Sequence, residues 1–167
     1  MPVLAPVDSR LTKTWTTLAW SATPVSHTGD LLEVAMATIP IAANGMGTRG
    51  ILRVTTDWSV TPSTNAKSLR VRLGGLAGTI FLAQSTTLAT HANLRAQCQI
   101  HNRDVANAQV GHGVGIGGGW GSNSNVVTVG TVDTSLAQDL VITGNLQALA
   151  SENITLESYL VELLYGA

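Results

Sequence analysis

Apolar and polar residues alternate one for one over long stretches of this chain, and a period of two fits a strand with a single buried face. Between residues 51 and 60, Leu52, Val54, Thr56, Trp58 and Val60 share one side while Arg53, Thr55, Asp57 and Ser59 share the other. Between 94 and 103, Leu94, Ala96, Cys98 and Ile100 oppose Arg95, Gln97, Gln99, His101 and Arg103. After a polar turn at 61–67, Leu69, Val71 and Leu73 alternate with Ser68, Arg70 and Arg72. The two strands flanking that turn are expected to pair as an antiparallel hairpin. Further strands are expected at 15–22, 32–39, 79–83, 126–132, 138–146 and 154–165, punctuated by Gly, Pro, Asn and Ser. The pattern predicts an all-β protein, an antiparallel β-sandwich of jelly-roll type with about eight strands and no helix beyond one turn within 87–97.

Composition narrows what such a fold can be used for. Only 11% of the 167 residues are charged while 44% are hydrophobic, against about 25% charged in an ordinary soluble domain. The surface must therefore be covered largely by Thr, Ser, Asn, Gln and Gly, which suits a protein packed against neighbours. A net charge of −1 and the lack of a basic stripe argue against nucleic acid as a partner. No apolar run approaches the roughly 18 residues of a membrane span, and the opening MPVLAPVDSRLTK is not patterned as a secretory signal. Synthesis in a cytoplasm and no membrane partner are the expectation. One domain is expected over 14–167, preceded by an extended arm at 1–13 that carries Pro2 and Pro6. Val3, Leu4 and Val7 of the arm lack an evident partner in the domain. They would either dock on a neighbouring subunit or belong to an unstructured tail.

Chemistry-bearing patterns are sparse. Gly113, Gly115 and Gly118 satisfy the spacing of a dinucleotide fingerprint, but the run continues through Trp120 into β-like sequence. That fingerprint needs a following helix to bind the pyrophosphate, so a Gly-rich connection between strands is the better reading. Trp120 and His112 are its candidate contact residues. His27, His91, His101 and His112 show no compact metal-ligand spacing, although His101 and His112 could converge in space. The carboxylates are scattered, no nucleophile elbow is present, and Cys98 falls on the inward face. No metal, no cofactor and no enzymatic activity are expected. Arg70 and Arg72 project from one side of their strand, with Arg53 expected near them across the hairpin. Such a row either binds an anionic partner or forms a solvated face that discourages edge pairing. In the last strand Leu156, Leu160 and Leu164 fall on one side and Tyr159, Val161, Leu163 and Tyr165 on the other. A sandwich strand needs one apolar face, so the second set is expected to meet a sister chain, the alternative being cover by a loop.

The phrases GILRVTTDW at 50–58 and NAKSLRVRLGG at 65–75 resemble the jelly-roll domains of tailed-bacteriophage virion proteins. So does the close, DLVITGNL at 139–146 through ENITL at 152–156 to VELL at 161–164. The likeness runs from about residue 31 to the end and rests on β-hairpin phrases rather than on a catalytic signature. It implies a capsid decoration (cement) protein, a homotrimer on the head exterior that binds the major capsid protein and stabilises the assembled shell. The alternative within the same group is a head- or tail-fibre tip recognising a host glycan or protein. No site residue carries over from the group, which has no shared motif to match.

Overall fold

In a computed structural model the described residues are 14–87, 89–114 and 127–167. They form eleven strands and no helix: β1 Trp15–Ser21, β2 Val25–His27, β3 Glu33–Ile41, β4 Ile51–Val60, β5 Lys67–Leu73, β6 Thr79–Thr86, β7 Asn93–Asn102, β8 Gln109–Val114, β9 Thr128–Gly130, β10 Gln138–Leu146 and β11 Ile154–Leu164. One sheet has the order β1-β11-β4-β7-β8-β9, with β2 also on β11. The other has the order β3-β10-β5-β6. All pairings are antiparallel.

Strands β1 and β2 pair with successive stretches of β11, Tyr159–Leu164 and Ile154–Leu156, and so act as one interrupted strand. Counted that way, a four-stranded β1/β2-β11-β4-β7 sheet faces a four-stranded β3-β10-β5-β6 sheet. Most connections pass from one sheet to the other, which is the jelly-roll path. The expected strands fall in this core except the one at 126–132, which is β9 and lies outside it in the β8–β9 hairpin that widens one sheet.

The alternation expected in β4, β5 and β7 is observed. Leu52, Val54, Trp58, Leu69, Val71, Leu73, Cys98 and Ile100 all lie in one hydrophobic cluster between the sheets, joined by Met36, Ile39, Leu140 and Ile142. Cys98 is fully buried there, and desolvation pushes its thiol up to about 12. The expected β4–β5 hairpin is not formed. β4 pairs with β11 and β7, whereas β5 pairs with β10 and β6 in the opposite sheet. Alternation reports which face of a strand is buried and not which strand lies beside it. The turn at 61–66 is thus an arch over the end of the core.

β8 packs on backbone rather than on side chains. Gly111 and Gly113 occupy its inward positions, where a Cβ would run into Phe81 and Leu82 of β6. Gly130 of β9 meets Phe81 in the same way. The glycines let β6 approach the far edge of the other sheet, so Gly113 serves packing. At the end of the same hairpin Gln109, fully buried, joins three loops. Its Nε2 donates to Asn102 Oδ1 (2.9 Å) and Val132 O (2.9 Å), and its Oε1 accepts from Val132 N (2.9 Å). Asn102 Nδ2 in turn donates to Thr134 Oγ1 (2.8 Å) and Gly47 O (2.7 Å).

Candidate functional site

The outer face of the larger sheet holds a continuous array of chemically varied side chains. Directly opposed residues on neighbouring strands share a face, so the pairing registers give its rows. One row runs Trp20, Leu160, Thr55, Gln97. The next runs Thr17, Glu162, Arg53, Gln99, His112, and a third runs Trp15, Leu164, Ile51, His101, Val110, Val129. Above the first row lie Ser158, Asp57 and Arg95.

Two irregularities create this face. A bulge between Thr17 and Ala19 turns both Trp15 and Trp20 outward, although they stand five positions apart. A second bulge between Leu156 and Ser158 reverses the facing of β11 partway along. Ile154 and Leu156 point inward before it, and Val161 and Leu163 point inward after it, at 0% and 8% exposure. The expectation that Tyr159, Val161, Leu163 and Tyr165 present a face to a sister chain is corrected accordingly. Val161 and Leu163 are core, Tyr159 is half-buried against the core, and Tyr165, just past the strand, is exposed. The outward apolar residues of β11 are Leu160 and Leu164, each opposite a tryptophan of β1.

Charges on this face cancel locally. Arg53 Nε donates to Glu162 Oε2 at 2.7 Å, and its guanidinium lies 4.2 Å from the centroid of the Trp15 ring. Arg95 grips Asp57 with two bonds, at 2.6 and 3.0 Å, and Ser158 Oγ donates to the same carboxylate at 3.0 Å. The paired arginines hold the carboxyls of Asp57 and Glu162 below their ordinary range. Burial lowers His101, which favours its neutral form. Two depressions on this face concern the array. One of about 380 Å³ is lined by Gln97, Gln99, His101, Val110, His112 and Val127. The other, of about 370 Å³, lies between Trp20, Thr55, Asp57, Arg95 and Leu160.

The remaining sequence candidates fall elsewhere. His101 and His112 do come onto one face, on adjacent strands. Among the described residues no group of three or more His, Cys, Asp or Glu could hold a metal ion. Arg70 and Arg72 lie on the other sheet and both bind Glu33, with Thr143 Oγ1 donating to that carboxylate at 2.6 Å. Arg53 is not beside them, because its strand belongs to the opposite sheet. Val3, Leu4, Val7 and Trp120 lie outside the described residues. Sequence reading missed Trp15 and Trp20 as partners on one face, since strict alternation sets them on opposite sides.

The architecture defines the class: an all-β, two-sheet antiparallel sandwich with jelly-roll strand order. No protein-family model matches the chain, and no curated protein does. Among solved structures it is similar to a Lotus tetragonolobus seed lectin, at 8% identity over 96% of each chain with a TM-score of 0.43. It is similar to a chain of infectious bursal disease virus Gx strain at 11% identity, covering 92% of this chain and 32% of that one, with a TM-score of 0.41. A third is the CBM2 module of the evolved Dit of Lactobacillus casei BL23 phage J-1, at 12% identity over 78% of this chain and 69% of that one, TM-score 0.39. These likenesses concern the sandwich fold alone.

Proposed function

We propose that the chain is a non-enzymatic structural module of a tailed-phage virion, coating the assembled head as a homotrimer and stabilising the shell by binding the major capsid protein. The observation that carries this reading is the set of large apolar side chains left in solvent. Trp20, Leu32, Val127, Val129 and Leu136 each expose more than half of their surface. On a chain with so few charges, such residues favour close packing against neighbours. Binding the assembled shell in preference to free subunits would stabilise it by mass action. The partner is protein, with no role for nucleic acid, membrane or cofactor. The protein would be made in the host cytoplasm and displayed on the virion exterior, with Val3, Leu4 and Val7 of the arm reaching an adjoining subunit.

Counting copies on purified particles tests the reading. A regular lattice over the head is expected, together with DNA release at lower temperature from particles lacking the protein. A few copies confined to the tail would overturn it. They would support a second reading, a fibre tip recognising a host glycan, which is favoured by the depression lined by Gln97, Gln99 and His112. On that second reading Trp120→Ala particles assemble normally and lose adsorption to cells.

A further inference from the structure

We propose that the outer face of the larger sheet is a binding track for a neutral polysaccharide chain, running across the strands from Trp20 on β1 to His112 on β8. The proposal deepens the fibre reading by naming the ligand class and the residues that would hold it. It concerns the folded chain itself, so it can be tested on purified protein.

Continuity is the first support. The two depressions adjoin through Thr55 and Gln97, whose side chains are hydrogen-bonded, Gln97 Nε2 donating to Thr55 Oγ1 at 3.3 Å. Four strand spacings separate β1 from β8, a span of about 19 Å, enough for about four sugar units end to end.

The chemistry of the lining is the second. Trp20 is 71% exposed and stands on a sheet face beside Leu160 rather than at a loop tip. An indole so placed can stack on the apolar C–H face of a pyranose ring. Gln97, Gln99 and His112 follow, and each offers both a donor and an acceptor, as sugar hydroxyls do. The Asp57 carboxylate and the Arg95 guanidinium border the Trp20 end with lone pairs and N–H groups at a fixed spacing.

Charge selects among ligands. The four charges Arg53, Glu162, Asp57 and Arg95 cancel in two pairs. An anionic polymer such as a nucleic acid would find no unpaired cation among them, and a cationic one no unpaired carboxylate. The ligand complementary to a locally neutral surface that mixes apolar area with a few hydrogen-bonding groups is an uncharged sugar chain, whose rings carry both C–H faces and hydroxyls.

Native affinity electrophoresis in gels containing an α-1,6-glucan, hydroxyethyl cellulose, a galactomannan or, as the anionic control, polygalacturonate tests this. Retardation by at least one neutral polymer is expected. Affinity for oligosaccharides of that polymer should rise with length and level off at about four units, the span of the track. Trp20→Ala should weaken binding by about ten-fold or more and Gln97→Ala measurably. Leu32→Ala, which truncates an equally exposed apolar residue before β3 in the other sheet, should change nothing. Circular dichroism melts of the three variants should match the wild type, because all three side chains are solvent-exposed. Retardation by none of the neutral polymers, retardation by polygalacturonate alone, or equal loss in Leu32→Ala would overturn the proposal. So would self-association that Trp20→Ala abolishes, for the face would then be occupied by a second copy. Copy number on the particle decides the fibre reading separately, so the track can fail while that reading stands.

Discussion

At the scale of single residues, the most consequential interaction is an ion pair buried at one end of the sandwich. Lys67, at 1% exposure, places Nζ 2.5 Å from Glu152 Oε2. It also donates to Ser63 Oγ (2.8 Å) and Asn65 O (3.0 Å), while Asn65 Nδ2 donates to Glu152 Oε1 (3.0 Å). The ammonium has thus satisfied its three donors without water. The pair ties the arch between β4 and β5 to the turn before β11. Removing one partner leaves the other charged and buried, so Lys67→Met should destabilise the fold by about 3 kcal/mol. The double variant Lys67→Met/Glu152→Leu should recover most of that loss, because two apolar side chains need no compensation. Urea unfolding of the wild type, both single variants Lys67→Met and Glu152→Leu, and the double variant measures the coupling, and additive losses would refute it. The pair was legible in principle. Lys67 has the parity of Leu69, Val71 and Leu73, and Glu152 that of Ile154 and Leu156, so opposite charges stood at the inward ends of two strands. The outward Gln97, Gln99 and His101 were likewise readable from alternation. The role of Trp20 was not, because a bulge precedes it.

At the scale of elements, the bulges explain both what the sequence misled about and what a deletion should do. Strict alternation gives β11 two apolar faces. With one extra residue near Glu157 it has an ordinary inner face of Ile154, Leu156, Tyr159, Val161 and Leu163. Deleting Glu157 removes the extra residue and keeps every inward residue inward, so that variant should fold with a melting temperature within a few degrees of wild type. Deleting Tyr159 leaves the bulge and shifts the rest of the strand by one position, turning Glu162 into the core and Val161 and Leu163 out of it. A one-residue slip of this kind exchanges the two faces completely. Burying an unpaired carboxylate is among the costliest changes available, and the Tyr159 deletion should yield no cooperative melt. Circular dichroism melts of the two deletions separate the cases, and similar behaviour of both would mean that the bulge does not set the facing. Other elements were hidden for their own reasons. β8 escaped recognition because its inward positions are Gly111 and Gly113, which carry no apolar signal. β2 has three residues, too few for a period to show.

At the scale of the whole molecule, the few carboxylates matter more than their number suggests, because those joining one strand or turn to another are kept ionised. The Arg72 guanidinium, helped by Thr143 and Arg70, lowers Glu33 to about 2. Lys67, with Ser63 and Asn65, lowers Glu152 to about 2. Asp57 and Glu162 move in the same direction through Arg95 and Arg53. Each group binds its proton more readily in the unfolded chain, where a carboxyl titrates near its ordinary value, than in the folded one. Stability from these pairs is therefore fully present above about pH 5 and is lost as pH falls toward 2. Lowered by burial, His101 contributes with the same sign just below its ordinary value, since the unfolded imidazole is protonated first. All the shifts act together, and none opposes acid unfolding. Between pH 4 and 3 the urea midpoint should fall steeply, corresponding to about two protons taken up on unfolding by Glu33 and Glu152. The Glu33→Gln/Glu152→Gln variant should be less stable at pH 7 and fall much less steeply across that interval, the remaining slope coming from Asp57 and Glu162, its curve converging on that of the wild type near pH 2. Parallel curves would place the acid sensitivity in other groups and deny these two carboxylates their role in joining the strands.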